Sequence, residues 1–71
     1  MAYVTLQEGA YRITSYGGGI AYLIERTNDG RTFHVDGDDA TIFRDDWESA
    51  EHAGMDFATF ISLMDYDQLF A

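Results

Sequence analysis

Apolar and polar residues alternate through the first half of the chain. Turn-forming residues interrupt the alternation at Gly9, at Gly17-Gly18-Gly19 and at Asn28-Asp29-Gly30, and Asn, Asp and Gly tolerate the positive φ that tight turns require. The intervening segments are rich in β-branched and aromatic residues; they cover residues 3–6, 11–16, 20–25 and 31–35. The pattern therefore predicts an antiparallel meander of three to four strands over about residues 3–35.

Alternate residues of a strand share one face of a sheet, so the pattern also predicts which side chains point inward. Apolar residues dominate one set of alternate positions, which predicts a sheet with one covered and one wet face. The predicted inward residues are Tyr11, Ile13, Ser15, Ile20, Tyr22, Ile24, Phe33 and Val35.

The period changes after Gly37, where the sheet is predicted to end. Phe43, Trp47 and Ala50 fall at helical spacing, and Gly54 is well placed as the residue just past a helix end. Either Asp38 or Asp39 can act as the N-cap, which predicts a helix over about residues 39–53. An alternative interpretation makes residues 41–43 a fifth strand and shortens the helix to 45–53.

A second helix is predicted over about residues 56–65, with Asp56 as its N-cap. Its apolar stripe consists of Phe57, Phe60, Ile61 and Met64 at i, i+3, i+4 and i+7. The segment after it, Asp65-Tyr66-Asp67, interrupts the pattern, and Leu69-Phe70 is expected to fold back as an irregular turn. Both helices are expected to pack on one sheet face, which gives an α+β two-layer sandwich.

Length and composition limit the class of protein. The 71 residues predict a single domain, residues 1–71. The absence of Cys excludes a disulfide framework and a thiolate zinc site. No apolar run is long enough to span a bilayer, and the first residues do not resemble a signal peptide. A cytoplasmic protein is the simplest expectation, and a homodimer is compatible with the composition.

Charge is distributed unevenly along the chain. The formal net charge is −9, and the acids of residues 1–35 are balanced by Arg12, Arg26 and Arg31. Residues 36–71 contain ten acids and Arg44 alone. Direct binding to nucleic acid or to an anionic membrane is disfavoured, because both recruit Lys and Arg. The expected partner is therefore a basic, nucleic-acid-binding protein surface.

The predicted contact surface is centred on the first helix. Asp45, Glu48 and Glu51 form an i, i+3, i+6 row that is expected to lie roughly opposite Phe43 and Trp47, with neighbours about 5–6 Å apart at Cβ. The row can stand in for phosphates, or it can be a solvated face that keeps the protein soluble. The full set of predicted partner-binding residues is Asp36, Asp38, Asp39, Asp45, Asp46, Glu48 and Glu51.

No motif in the chain predicts catalysis or a bound cofactor. An EF-hand loop beginning at Asp36 would require Gly and Glu where Thr41 and Trp47 stand. The serines lack a nucleophile-elbow context, and the glycine run lacks the Lys of a phosphate-binding loop. Nothing in the spacing of His34 and His52 brings them together. We therefore expect no enzyme activity, no metal and no cofactor.

A second hypothesis assigns partner binding to tyrosines. Five Tyr residues occur in the chain, and exposed Tyr is favoured at protein interfaces. A Tyr-rich sheet face, together with the glycine turn at residues 17–19, would then form a protein–protein interaction module. In that case the acids serve solubility alone.

In size, charge and predicted architecture the whole chain resembles the small acidic phage-encoded inhibitors of bacterial defence, including anti-CRISPR proteins. Several members of that class act as DNA mimics. The resemblance implies a non-enzymatic inhibitor that occupies a nucleic-acid-binding site in the cytoplasm of a host cell. It depends on no sequence motif, so it assigns no role to an individual residue.

Overall fold

A four-stranded antiparallel sheet forms the first half of the protein in the computed structural model, which describes residues 3–71. The strands follow chain order across the sheet, β1-β2-β3-β4, as expected for a meander with short turns. Their bounds are β1 Tyr3–Glu8, β2 Tyr11–Tyr16, β3 Ala21–Arg26 and β4 Arg31–Asp36.

The strand register separates an inner from an outer sheet face. Leu6 lies opposite Ile13, Ile13 opposite Ile24, and Ile24 opposite Phe33, so these apolar side chains form one row across the inner face. Ile13, Ile24 and Phe33 are buried, as predicted. The prediction for Ile20 is wrong: it lies in the turn before β3 and is 67% exposed.

The first helix, α1, extends over Gly37–His52, so residues 41–43 are helical and the fifth-strand alternative is wrong. The N-cap prediction is also wrong. Asp36 occupies the N-cap position without a side-chain cap hydrogen bond, and Asp38 and Asp39 lie in the first turn. Gly37 has a φ of 57°, a conformation that glycine adopts without Cβ strain and that lets the chain turn from β4 directly into the helix.

The end of α1 agrees with the prediction. Gly54 has a φ of 78° and donates its backbone N–H to Glu51 O at 3.0 Å, while Met55 N donates to Ala50 O at 2.9 Å. These two bonds form a Schellman motif, which satisfies carbonyl groups at the helix end.

The second helix, α2, extends over Phe57–Leu63, and a short 3₁₀ segment follows at Tyr66–Leu69. The predicted cap is confirmed, because Asp56 Oδ1 accepts a hydrogen bond from Thr59 N at 2.8 Å. This bonding, from both the side chain and the backbone of Thr59, lowers the pKa of Asp56. Met64 is 41% exposed, so it does not extend the buried stripe.

The core between the two layers is mainly aromatic, and Phe43 of α1 lies at its centre with 0% exposure. Its ring centroid lies 5.3 Å from that of Tyr66, 5.5 Å from that of Tyr22 and 5.7 Å from that of Phe60. Aromatic pairs at these separations contribute beyond their buried area. One ring therefore connects the sheet, both helices and the 3₁₀ segment.

The last residues return to the sheet. Phe70 is buried, and the backbone of Ala71 exchanges hydrogen bonds of 3.0 and 3.4 Å with Thr32 of β4. The Arg26 guanidinium lies 4.6 Å from the centroid of the Phe70 ring, within cation–π range. The β4 edge of the sheet is thus covered in part by the chain itself.

Candidate functional site

The seven predicted partner-binding carboxylates all lie in α1 or immediately before it. Six belong to the helix, and Asp36 is the last residue of β4. All are exposed except the half-buried Asp46. Their exposure agrees with the sequence prediction, whereas their arrangement around the helix differs from it.

The row Asp45, Glu48 and Glu51 winds around α1 and does not form one outward face. At about 100° per residue, Glu51 lies about 40° from the buried Trp47, Glu48 about 100° and Asp45 about 160°. Glu48 and Glu51 accordingly face the flank of the helix that borders β1, and Asp45 faces away from the sheet. The expectation that all three lie opposite the buried side is therefore correct for Asp45 alone.

The opposite flank of α1 carries Asp39 and Asp46, which face the 3₁₀ segment. Burial of the Tyr66 hydroxyl raises its pKa, and the negative charges of Asp46 and Asp39 raise it further. These two carboxylates therefore act electrostatically on the packed C-terminal segment. The acids of α1 surround the helix on three sides and do not form a single patch.

Glu25 and Asp29, two acids of the sheet half, have ion-pair partners, whereas the acids of α1 have none among residues 3–71. Arg12 Nη1 lies 3.0 Å from Glu25 Oε1 across the β2–β3 pair. Arg26 donates to both carboxylate oxygens of Asp29, with the shortest bond 2.9 Å, and Arg31 N donates to Asp29 Oδ1 at 3.1 Å. The bonds from Arg26, followed by that from Arg31, hold the pKa of Asp29 below its ordinary value.

No carboxylate of α1 has such a partner. Within residues 3–71, none of these side chains forms an ion pair or accepts a hydrogen bond. Arg44, the single arginine of the second half, extends toward the glycine turn: a Cβ on Gly19 would lie 3.2 Å from its Nη1 atom. In the described part of the chain the acids of α1 therefore form no ion pair, and Arg44 is the single arginine of that helix.

Next to α1, a groove of about 270 Å³ lies between the helix and the edge strand β1. The sheet provides an apolar floor, and α1 provides a wall that contains Trp47, Glu48 and Glu51. Arg44 lies at the glycine-turn end, and Glu8 lies at the far end of β1. The floor residues are Val4, Leu6, Ile13, Ser15 and Tyr22.

The groove exists because α1 alone does not reach the β1 side of the sheet. A helix with its side chains is about 10–12 Å across and adjacent strands are about 4.8 Å apart, so one helix covers about two strands. α1 packs on β3 and β4, at the opposite side of the sheet from β1. As a result Val4 is 58% exposed and Leu6 is 46% exposed, although both belong to the inner face.

The sequence prediction missed this groove. It treated the whole inner face as covered, and it ended the first strand at residue 6, before Glu8. The available signal was the order Val4-x-Leu6-x-Glu8, in which inward apolar positions end in a charge. A charge at an inward position indicates that this end of the face reaches solvent.

Three tyrosines lie in the core or pack against it. Tyr22 is 5% exposed, Tyr11 packs edge-on against Phe57 at 5.4 Å, and Tyr66 stacks on Phe33 at 5.6 Å. Tyr16 is half-buried, and the side chain of Tyr3 lies outside the described residues. Three of the tyrosines therefore contribute to the core, and the Tyr-rich interaction face stays a hypothesis.

The two histidines lie on different sides of the sheet. His34 is exposed and opposes Leu23 on the outer face, whereas His52 ends α1 on the inner side. No group of three or more His, Cys, Asp or Glu side chains capable of holding a metal ion occurs in residues 3–71. The Asp36-Gly37-Asp38-Asp39 segment forms the junction of β4 and α1.

Two further findings bear on the class of protein. Over the described part of the chain, no helix has the length and apolar character needed to cross a membrane. A comparison with known proteins found no matching family model, no matching curated protein and no matching solved structure.

Proposed function

We propose that this protein is a non-enzymatic inhibitor that docks its acidic α1 surface on a basic, nucleic-acid-binding surface of another protein. The observation that carries the proposal is the contrast in pairing: Glu25 and Asp29 have arginine partners, whereas the described α1 acids have none. Like charges three residues apart destabilise a helix by a few tenths of a kcal/mol per pair. A basic partner surface would remove that repulsion, and solubility alone does not require the charge to be concentrated in one half.

In this function the carboxylates of α1 stand in for phosphates. Neighbouring side chains at i and i+3 lie about 5–6 Å apart at Cβ, a spacing of the same order as that of phosphates along a strand. The partner would then bind the protein in place of nucleic acid. The resemblance to small phage-encoded inhibitors suggests that the partner is a nucleic-acid-binding component of bacterial defence, which the protein would bind in the host cytoplasm.

A displacement assay tests the proposal. The heparin-binding fraction of a bacterial lysate supplies candidate partners that bind anionic polymers. A protein captured from it by the tagged chain is then bound to a labelled DNA duplex. We expect the chain to release the DNA, and we expect this competition to weaken about tenfold or more in the variant Asp45→Asn, Glu48→Gln, Glu51→Gln.

A charge-matched control separates position from total charge. The variant Gln7→Lys, Asn28→Lys, Gln68→Lys changes the net charge by the same three units at exposed positions outside α1. It should compete within about twofold of the original chain. Equal weakening in both variants would show that only net charge matters, and undiminished competition by the neutralised variant would disprove the proposal.

A further inference from the structure

We propose that the groove between β1 and α1 binds an amphipathic helical segment of a partner protein, one that carries both apolar and Lys or Arg side chains. The inference rests on the proposed function and narrows it. Binding would depend on Glu48 and Glu51 together with Leu6, whereas Asp45 would lie outside the contact.

The floor of the groove requires an apolar occupant. Val4 and Leu6 are 58% and 46% exposed on the inner face, beside the buried Ile13 and Trp47. Small-molecule sites are usually about 300–1,000 Å³ and largely enclosed. A groove of about 270 Å³ along an edge strand is better matched to a few side chains of a partner.

The walls of the groove require a basic occupant. Glu48 and Glu51 border the groove from α1, and Glu8 lies at the end of β1. None of the three has an ion-pair partner in residues 3–71. Lys or Arg side chains beside an apolar stripe would meet these carboxylates while Leu-like side chains cover Val4 and Leu6.

A helix fits the available width. α1 lies on β3 and β4, and a second helix about 10 Å from it would lie on β1 and on the part of β2 that Phe57 and Phe70 leave uncovered. The partner segment would thus complete the helical layer. A second copy of this chain fits poorly, because two grooves facing each other would bring Glu8, Glu48 and Glu51 of both copies together, with only Arg44 to offset them.

Binding of a defined peptide tests the inference. The probe is a Leu/Lys peptide of about 14 residues, which forms about four turns of amphipathic helix, and its control is a Ser/Lys peptide of equal charge. We expect the Leu/Lys peptide to bind at least about tenfold tighter, with NMR shifts concentrated in β1 and the facing side of α1. Equal binding of both peptides would overturn the inference.

Matched variants locate the contact. Leu6→Lys should weaken binding of the Leu/Lys peptide about tenfold, and Leu63→Lys, at a leucine that is 66% exposed on α2, should leave it within about twofold. Glu48→Lys should likewise weaken binding much more than Asp45→Lys, three residues away on the same helix. This second pair keeps the test valid if Leu6→Lys does not fold.

The outcomes separate the inference from the proposed function. If Glu48→Lys and Asp45→Lys weaken binding equally and Leu6→Lys has no effect, the groove is not the binding site, and the proposed function of the acidic surface still stands. If no acid reversal changes binding, both the inference and the proposed function are wrong. Self-association of the chain that Leu6→Lys abolishes would also overturn the inference, because the groove would then bind a second copy.

Discussion

Glu25 and Asp29 of the sheet half form ion pairs with arginines, whereas the described acids of α1 form none. In the sheet, Arg12 pairs with Glu25 across two strands, and Asp29 accepts hydrogen bonds from Arg26 and from the backbone of Arg31. In α1, no acidic side chain has an internal partner among the described residues. The unpaired carboxylates of α1 are therefore available to a partner.

The two regions also differ in how completely they are covered. The β4 side of the sheet is packed against α1 and bonded to Ala71, while β1 keeps Val4 and Leu6 exposed on its inner face. The uncovered strand and the unpaired helix border the same groove. Apolar surface and unbalanced charge therefore occur together at one place.

The largest expected effect concerns the core that joins the two regions. Phe43→Ala should lower the free energy of unfolding by about 3–5 kcal/mol, because Phe43 contacts aromatic rings from every layer. A 71-residue protein has roughly 4–10 kcal/mol in total, so the variant should be largely unfolded. Urea titration followed by Trp47 fluorescence measures this.

The same titration checks whether the two regions unfold as one unit. Trp47 reports on α1, and amide signals of β2 and β3 report on the sheet; coincident transitions are expected for a single core. The control Leu63→Ala removes an exposed side chain and should cost less than about 0.5 kcal/mol. Separate transitions for helix and sheet would contradict a shared core.

A smaller effect is expected for the paired acid of the sheet. Asp29→Asn weakens the bonds from Arg26 and removes the ion pairs with Arg26 and Arg31, so we expect a fall of a few degrees in Tm. Asp45→Asn, the same change at an unpaired acid, should leave Tm unchanged or raise it slightly. Equal losses at both positions would remove the distinction between the two regions.

The Tm difference between the original chain and Asp29→Asn should depend on pH in a defined direction. The folded protein holds the pKa of Asp29 below its ordinary value of 3.8, so this carboxylate stabilises the fold above about pH 4. That contribution is lost as the pH falls through the lowered pKa. The Tm difference between the original chain and Asp29→Asn should therefore shrink below pH 4, and a difference that grows there would contradict the assignment.

The smallest effect is a gain in stability. Glu48 has like-charged neighbours at Asp45 and Glu51, and removing each such pair stabilises a helix by about 0.2–0.5 kcal/mol, part of which is offset by the lost attraction to Arg44 four residues earlier. Glu48→Gln should therefore raise the free energy of unfolding at low salt while it weakens partner binding. At 1 M salt, where the Debye length is about 3 Å, the gain should disappear, and a gain that persists would have another cause.

Most of the fold was predictable because each element has a local signal. The strands follow the alternation, α2 begins at the Asp56 cap, and α1 ends at Gly54 as expected. The errors lie where the chain changes element: α1 begins at Gly37, because a positive φ there joins β4 to the helix without a spacer. Asp38 and Asp39 are therefore first-turn residues, where negative charge favours the helix dipole.

The site was only partly predictable. The sequence shows that the acids concentrate in residues 36–71, and a helical wheel shows that Asp45 faces outward. It does not show which strands α1 covers, because that depends on packing of Phe43 and Trp47 against the sheet. Without this, the position of Glu48 and Glu51 beside β1 and the exposure of Leu6 cannot be predicted from the sequence.

The salt dependence of the association rate tests the central claim most directly. The rate of binding to a DNA-binding partner captured as above is measured by stopped flow between about 0.05 and 0.5 M salt, for the original chain and for Asp45→Asn, Glu48→Gln, Glu51→Gln. If α1 presents its charge to a basic surface, the association rate of the original chain should be at least about tenfold higher at about 0.05 M salt than at about 0.5 M salt. The neutralised variant should lose most of that dependence. An equal salt dependence in both proteins, or none in either, would contradict the account.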